Sequence, residues 1–185
     1  MENNWTTAEK ILKKGGVGII PTDTLYGLVG SAFSKKAISK IYRIKERDLN
    51  KPLIVLINSF DDLGLFGVKV EEKTTKLLEK IWPRKVSVIL PCNLKKFEFI
   101  HRGTNSIAFR MIDKSNKDLF NLIKKVGPIV APSANKESLP PAETIKEAKD
   151  YFIDEVDFYI DDGVKKSKAS TLITFKDNKK IVLRK

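Results

Sequence analysis

Three groups of side chains in this sequence are suited to chemistry. The first is Pro21-Thr22-Asp23-Thr24-Leu25-Tyr26-Gly27-Leu28, a hydroxyl-rich loop after the apolar run at 17–20. Glycine at position 27 lets the backbone approach a ligand closely. The second is Lys45-Glu46-Arg47 followed by Lys51-Pro52-Leu53, a cationic segment one helix later. The third is scattered: Arg110 ending an apolar run, Ser133 and Asn135 beyond another, and Ser170 and Arg184 near the C-terminus. Hydroxyls at one strand end with Arg and Lys a helix away suit a small polar substrate lying beside phosphates. Turn chemistry in the Thr-Asp-Thr loop and a solvated helix end at Lys-Glu-Arg explain the same residues with no ligand at all. Arg110 follows Ile107, Ala108 and Phe109, and a structural ion pair would satisfy it there, because arginine is costly to bury without an anion.

Other chemistries are poorly supplied. The chain has one cysteine, Cys92, and one histidine, His101. No internal disulfide or Cys/His zinc cluster can be assembled from these, and a Ser-His-Asp triad would rest on His101 alone. Both read as incidental. Gly15-Gly16-Val17-Gly18 precedes a strand instead of opening a helix, and no Gly-Lys-Ser/Thr follows. That run is a helix stop, so a nucleotide must be held by something other than a Walker or Rossmann loop.

The 185 residues suit one domain, burying roughly 70% of the unfolded surface. A hydrophobic share of 42% and a charged share of 31% are ordinary for a globular chain. Met1 to Trp5 carries no secretion signal, and no apolar stretch approaches the ~20 residues of a membrane span. With a single cysteine, the expectation is a cytoplasmic protein with no membrane partner. The net charge is +12, and residues 163–185 hold eight Lys or Arg against Asp177 alone. Such a tail favours polyanions, nucleotides or RNA, although lysine-rich composition also explains it. Only six of the 35 basic residues are arginine, and Arg47, Arg110 and Arg184 all fall in the segments above.

Positioning elements follow from periodicity. Helix and strand signals alternate, which predicts an α/β fold: a single-domain twisted mixed sheet with flanking helices over 1–185. Thr6 or Thr7 is expected to cap a first helix through Ala8, Ile11 and Leu12, and Ser34 a second through Ile38, Ile41 and Tyr42. Further helices are expected at 71–82, from Ser115 to Gly127-Pro128, and at 144–152. Strands are expected at 17–20, 53–57, 86–90, 107–111, 129–131 and 156–160. A hairpin of 172–175 with 181–183 closes the chain around Lys176-Asp177-Asn178-Lys179.

The ordered set resembles the YrdC-like family, the TsaC-type threonylcarbamoyl-AMP synthases. It comprises the Pro21–Leu28 string, Lys45-Glu46-Arg47, Lys51-Pro52-Leu53, Ile81-Trp82-Pro83, Ser106-Ile107-Ala108-Phe109-Arg110, Ala131-Pro132-Ser133-Ala134-Asn135, Ser170-Thr171 and Leu183-Arg184. The resemblance implies the YrdC-like fold and L-threonylcarbamoyladenylate synthesis from L-threonine, bicarbonate or CO2, and ATP. It further implies that the product serves tRNA threonylcarbamoyladenosine modification, completed by partner proteins. It implies ATP contacts at Lys45, Arg47, Lys51, Ser106, Ala108, Ser133, Asn135, Ala142 and Arg184. Threonine contacts are implied at Thr24, Arg110, Ala131 and Ser170. Nucleotidyl transfer needs positioning and charge neutralisation rather than a protein nucleophile, so no catalytic side chain is assigned. Magnesium is expected with the phosphates, with no metal ligand from a protein side chain.

There are departures. Arg84-Lys85 and Glu137-Ser138 stand where relatives usually carry Gly-Pro and Ser-Gly, which changes the loop chemistry. Leu56 can offer only backbone or packing. The chain ends at Arg184-Lys185, as the short form of the family would. Two rivals differ in class: an RNA-binding module without turnover, and a carbamoyl-AMP-dependent carbamoyl transferase.

Overall fold

The computed structural model describes residues 4–176 and 179–185. Short aliphatic runs punctuated by Gly, Pro and Ser form nine strands among them. These are β1 (Val17–Pro21), β2 (Tyr26–Ser31), β3 (Ile54–Ile57), β4 (Val86–Pro91), β5 (Ser106–Met111), β6 (Ile129–Val130), β7 (Phe158–Tyr159), β8 (Thr171–Lys176) and β9 (Lys179–Arg184). The helices are α1 (Asn4–Lys13), α2 (Lys35–Ile44), α3 (Asp61–Leu65), α4 (Glu72–Ile81), α5 (Glu98–His101), α6 (Lys117–Val126) and α7 (Ile145–Phe152). All nine strands join one sheet in the order β7-β1-β2-β6-β3-β5-β4-β8-β9. It is mixed: β1/β7, β3/β5 and β4/β8 are parallel and the other pairs antiparallel. The expected α/β class and mixed sheet are therefore what the chain forms.

Several local expectations are corrected. The Thr-Asp-Thr loop is a tight turn, closed by Thr22 N–H donating to Leu25 O at 3.1 Å, and the chain returns at once as β2. β2 lay hidden because it is buried on both faces and carries two glycines, so it shows no alternation. Thr6 and Thr7 sit inside α1 instead of capping it. Ser115 does not cap α6: its N–H donates to Asp113 Oδ1, and Asn116 holds the cap position with no side-chain bond. Of the strand expected at 156–160 only Phe158–Tyr159 is strand; Asp157 and Ile160 flank it with N–H bonds to Val17 O and Ile19 O, and the Asp157 carboxylate accepts the Val17 N–H at 2.7 Å. The centre of the closing hairpin, residues 177–178, lies outside the described residues, while β8 and β9 pair on either side of it. Ser34 caps α2 by accepting from Ala37 N–H, as its type and place predict. Gly15 ends the first helical segment at φ +77°, with Gly16 N–H reaching back to Ile11 O.

Sheet alternation sorts the core into two layers. Ile107 and Phe109 of β5 face a large cluster with Ile38 and Ile41 of α2, Leu78 of α4, Ile100 of α5 and Phe152 of α7. The opposite face carries a smaller cluster in which Ala8 and Leu12 of α1 meet Leu119, Leu122 and Ile123 of α6. Leu56 packs fully buried in that smaller cluster, beside Arg110 in the register. The partners of Ile107 and Phe109 on the other side of β5, namely Ser106, Ala108 and Arg110, therefore share the face where α1 and α6 lie.

Phe109 packs edge-on against Phe66, with ring centroids 5.1 Å apart and no exposure. Phe109→Ala should therefore lower stability by about 3–5 kcal/mol, measured by urea denaturation. A loss under about 1 kcal/mol would mean that the larger layer repacks freely.

Candidate active site

The turn between β1 and β2, the end of β5 and the segment after β6 meet around a cavity of about 110 Å³. Its wall includes Thr22, Thr24, Ala131, Ser133, Ser170 and the three guanidinium side chains Arg47, Arg110 and Arg184. Among the described residues no carboxylate lines it. Thus Thr24, Arg110, Ala131 and Ser170, expected together from separate segments, do converge on one small space, as do Arg47, Ser133 and Arg184.

Arg110 is 4% exposed. Its Nη2 lies 3.0 Å from Asp23 Oδ1, and its Nη1 donates to Thr24 Oγ1 at 3.4 Å. Its Nε is buried with no partner among the described residues. Burial weakens its hold on the proton; Asp23 opposes that effect and the positive charge of Arg184 adds to it. The structural ion pair and a buried, unpaired donor thus coexist on one side chain. Arg184 is held by Ser170 O, which accepts from Nε at 3.2 Å and Nη2 at 2.9 Å. The two ends of the β8–β9 hairpin are brought together here. Ser170 Oγ also lies 2.9 Å from Ser87 Oγ of β4.

The cationic segment after α2 has two kinds of member. Arg47 is fixed by donation from Nε to Lys51 O at 3.2 Å and from Nη2 to Pro52 O at 3.0 Å. Lys51 is half-exposed and pairs with Glu137. Lys45, in contrast, is 2% exposed. Its ammonium donates to Ser133 O (2.9 Å), Asn135 O (2.7 Å) and Asn135 Oδ1 (2.9 Å). Three donors with three protein acceptors leave it none for a ligand, so its expected direct phosphate contact is replaced by support of the loop. Burial, reinforced by Arg47, lowers its pKa to about 8.

Asn135 changes role for the same reason. Its Nδ2 donates to Lys136 O and Leu139 O, and its Oδ1 accepts from Lys45 and from Ser133 Oγ. Ala142 is fully buried and hydrogen-bonded to Ala134 O, so its side chain has no surface to offer an adenosine. Ser106 and Ala108 share the open face with Arg110, but Ser106 lies roughly 13 Å along the strand. There it borders a separate groove with Ile89 and Thr174.

A wider cleft of about 760 Å³ lies on the other side of Thr22 and Asp23. Arg84, Lys85 and Lys165 line it, facing Asp113, Asp161 and Asp162, and none of the three reaches the small cavity. Its mixed charge recommends it less to an anion than the acid-free wall beside it. Thr22, Asp23 and Tyr26 stand in the hydroxyl-rich string, but no individual role for them follows from the sequence. Thr22 Oγ1 donates to Leu25 O at 2.7 Å and shapes the turn, and Tyr26 OH donates to Gly163 O at 2.8 Å, tying in the segment before β8. The lone carboxylate of the Thr-Asp-Thr string was the available sign that Arg110 has a partner.

Residues 10–185 match the model of the Sua5/YciO/YrdC family, described as telomere recombination. The chain belongs to this family. A threonylcarbamoyl-AMP synthase of Pyrococcus abyssi is 29% identical over 157 residues, 84% of this chain and 46% of that protein. A relative in Methanocaldococcus jannaschii is 29% identical over 177 residues, covering 95% of this chain and 82% of its own length. This family member thus spans about half of the Pyrococcus relative and most of the Methanocaldococcus one. The crystal structure of Pyrococcus abyssi Sua5 complexed with L-threonine has a TM-score of 0.88 at 27% identity, covering 97% of this chain and 53% of that one.

The brace at Lys45 yields a test with a definite sign. Its folded pKa near 8 lies below the ordinary 10.5, so between these values the unfolded chain binds more protons. Its contribution to stability therefore rises as pH increases from about 8 to 10.5. Lys45→Met should cost about 2–4 kcal/mol at pH 7 by leaving buried acceptors without a donor. Urea denaturation of both proteins should show the gap widening above pH 8; parallel profiles would contradict the buried ammonium.

Proposed function

We propose that this chain is an L-threonylcarbamoyladenylate synthase. The observation that carries this reading is a cavity of about 110 Å³ walled by three arginines and four Thr and Ser side chains, with no carboxylate among the described residues. That is too small for a drug-sized ligand, for which pockets of about 300 Å³ or more are usual, but it suits one small amino acid. In this reading the Arg110 guanidinium meets the threonine carboxylate, and the hydroxyls of Thr24 and Ser170 face its polar groups. The apolar edge supplied by Ile54 and Ala131 takes the methyl group.

The triphosphate of ATP then lies at the mouth, against Arg47, Lys51, Ser133 and Arg184. The nucleoside extends from there along β5 toward Ala108 and Ser106. Threonine's amine and bicarbonate or CO2 give a carbamate, whose oxygen attacks the α-phosphorus. The bond to the β-phosphate bridging oxygen breaks, releasing threonylcarbamoyl-AMP and pyrophosphate. The protein positions the two substrates and neutralises the charge that spreads over the phosphates. Among the described residues no three His, Cys, Asp or Glu side chains gather as a metal cage. In the same reading magnesium would come with the phosphates, where it would neutralise charge on the leaving pyrophosphate. The product's use in tRNA modification, with partner proteins and in the cytoplasm, belongs to the same reading. For the chain itself, no described helix is long and apolar enough to cross a membrane.

Pyrophosphate release with ATP and bicarbonate, run across the twenty amino acids, should be selective for threonine. Serine should be poorer by only ~1–3 kcal/mol, the worth of one methyl group. Arg110→Ala should weaken threonine by about 3 kcal/mol, and Lys51→Ala should weaken ATP by only about 1 kcal/mol because that ammonium is half-exposed. Equal turnover with all amino acids, or loss of the same ligand in both variants, would refute the assignment.

A further inference from the structure

Two of the three cations given to the triphosphate, Arg47 and Lys51, are not bare. Glu137 Oε1 accepts from the Lys51 ammonium, and Oε2 lies 3.6 Å from Arg47 Nη1. The backbone of Glu137 is anchored separately, its N–H donating to Lys45 O at 2.8 Å. Two residues earlier the loop is fixed by the contacts of Asn135. The carboxylate can therefore rotate away on its own side-chain torsions while the loop stays in place. Its side chain is 23% exposed, so water and an incoming anion reach it. The Lys51 hydrogen bond, with the charges of Arg47, Lys51 and Lys45 nearby, lowers its pKa from the usual carboxylate value.

A single carboxylate and a triphosphate cannot occupy the same donors, and the triphosphate carries the larger charge. We propose that Glu137 is a resident counter-anion of the nucleotide site. It holds Arg47 and Lys51 in binding position while the site is empty, yields them to the triphosphate, and takes them back as pyrophosphate leaves. This rests on the synthase reading. An internal competitor lowers the affinity for ATP and pyrophosphate together, because both use the same cations. The site thereby avoids trapping its own leaving group.

The test uses the full chain and Glu137→Gln, which keeps the size and an oxygen acceptor but removes the charge. Should that variant fail to fold, Glu137→Ser serves for the same measurements. Isothermal titration with ATP, and separately with pyrophosphate, should give roughly three- to tenfold tighter binding of both in the variant. In turnover, KM for ATP should fall while kcat does not rise, as pyrophosphate release slows. The gain should shrink when the same change is made in a Lys51→Ala background, because the two residues are coupled. ATP binding that is unchanged or weaker in Glu137→Gln, with the wild type binding normally, overturns the counter-anion and leaves the synthase reading intact. A wild type that binds no ATP overturns both.

Discussion

A guanidinium moved from water into a protein interior must recover its solvation from hydrogen bonds and negative charge. Arg110 recovers only part of it. Asp23 supplies one carboxylate at 3.0 Å, Thr24 a distant hydroxyl, and Nε has nothing among the described residues. The neighbouring Arg184 adds positive charge in place of relief. An anion entering this space gains what the fold left unfilled, and the surrounding elements can be read as the means of creating that deficit. β5 places Arg110 on the face of the sheet opposite Phe109, and the short β1–β2 turn holds Asp23 and Thr24 against it. The β8–β9 hairpin closes the wall through Arg184 and Ser170.

The second requirement is a loop that stays in shape without a strand to define it. The segment after β6 is tied down by Lys45, whose ammonium gathers two carbonyls and an amide oxygen at 2.7–2.9 Å. The position of Lys45 at the end of α2, beside Arg47, makes one helix serve two purposes. Its last turn braces the loop internally, and the following turn sends Arg47 to the cavity and Lys51 onto Glu137. The depressed pKa of Lys45 shows that the brace is bought with desolvation. A lysine suits this task because three donors on a point charge can satisfy acceptors in divergent directions.

Much of this was legible in the residues. Helix α2 and its Ser34 cap, the apolar β3 and the hairpin joining Ser170 to Arg184 follow from periodicity, cap chemistry and chain reversal. What could not be read was which polar side chains spend their hydrogen bonds inward. Lys45 and Arg47 are two residues apart and look equivalent in sequence, yet one is buried and saturated while the other faces the cavity. Asn135 and Ala142 were likewise placed toward a ligand, but packing turned the first into a loop brace and buried the second. β2 escaped because a strand covered on both sides has no polar face to alternate with. The pairing of Glu137 with Arg47 and Lys51 spans 86 residues or more and has no local signature at all.

The incomplete solvation of Arg110 is most directly tested by comparing L-threonine with L-threoninol in isothermal titration, ATP being absent from both. Threoninol keeps the side chain and amine and lacks only the carboxylate. If Arg110 awaits an anion, threonine should bind at least about tenfold more tightly than threoninol, as expected for a charge-assisted contact. Equal affinity for the two would show that the guanidinium is already satisfied by Asp23 and that the cavity is not built around a carboxylate.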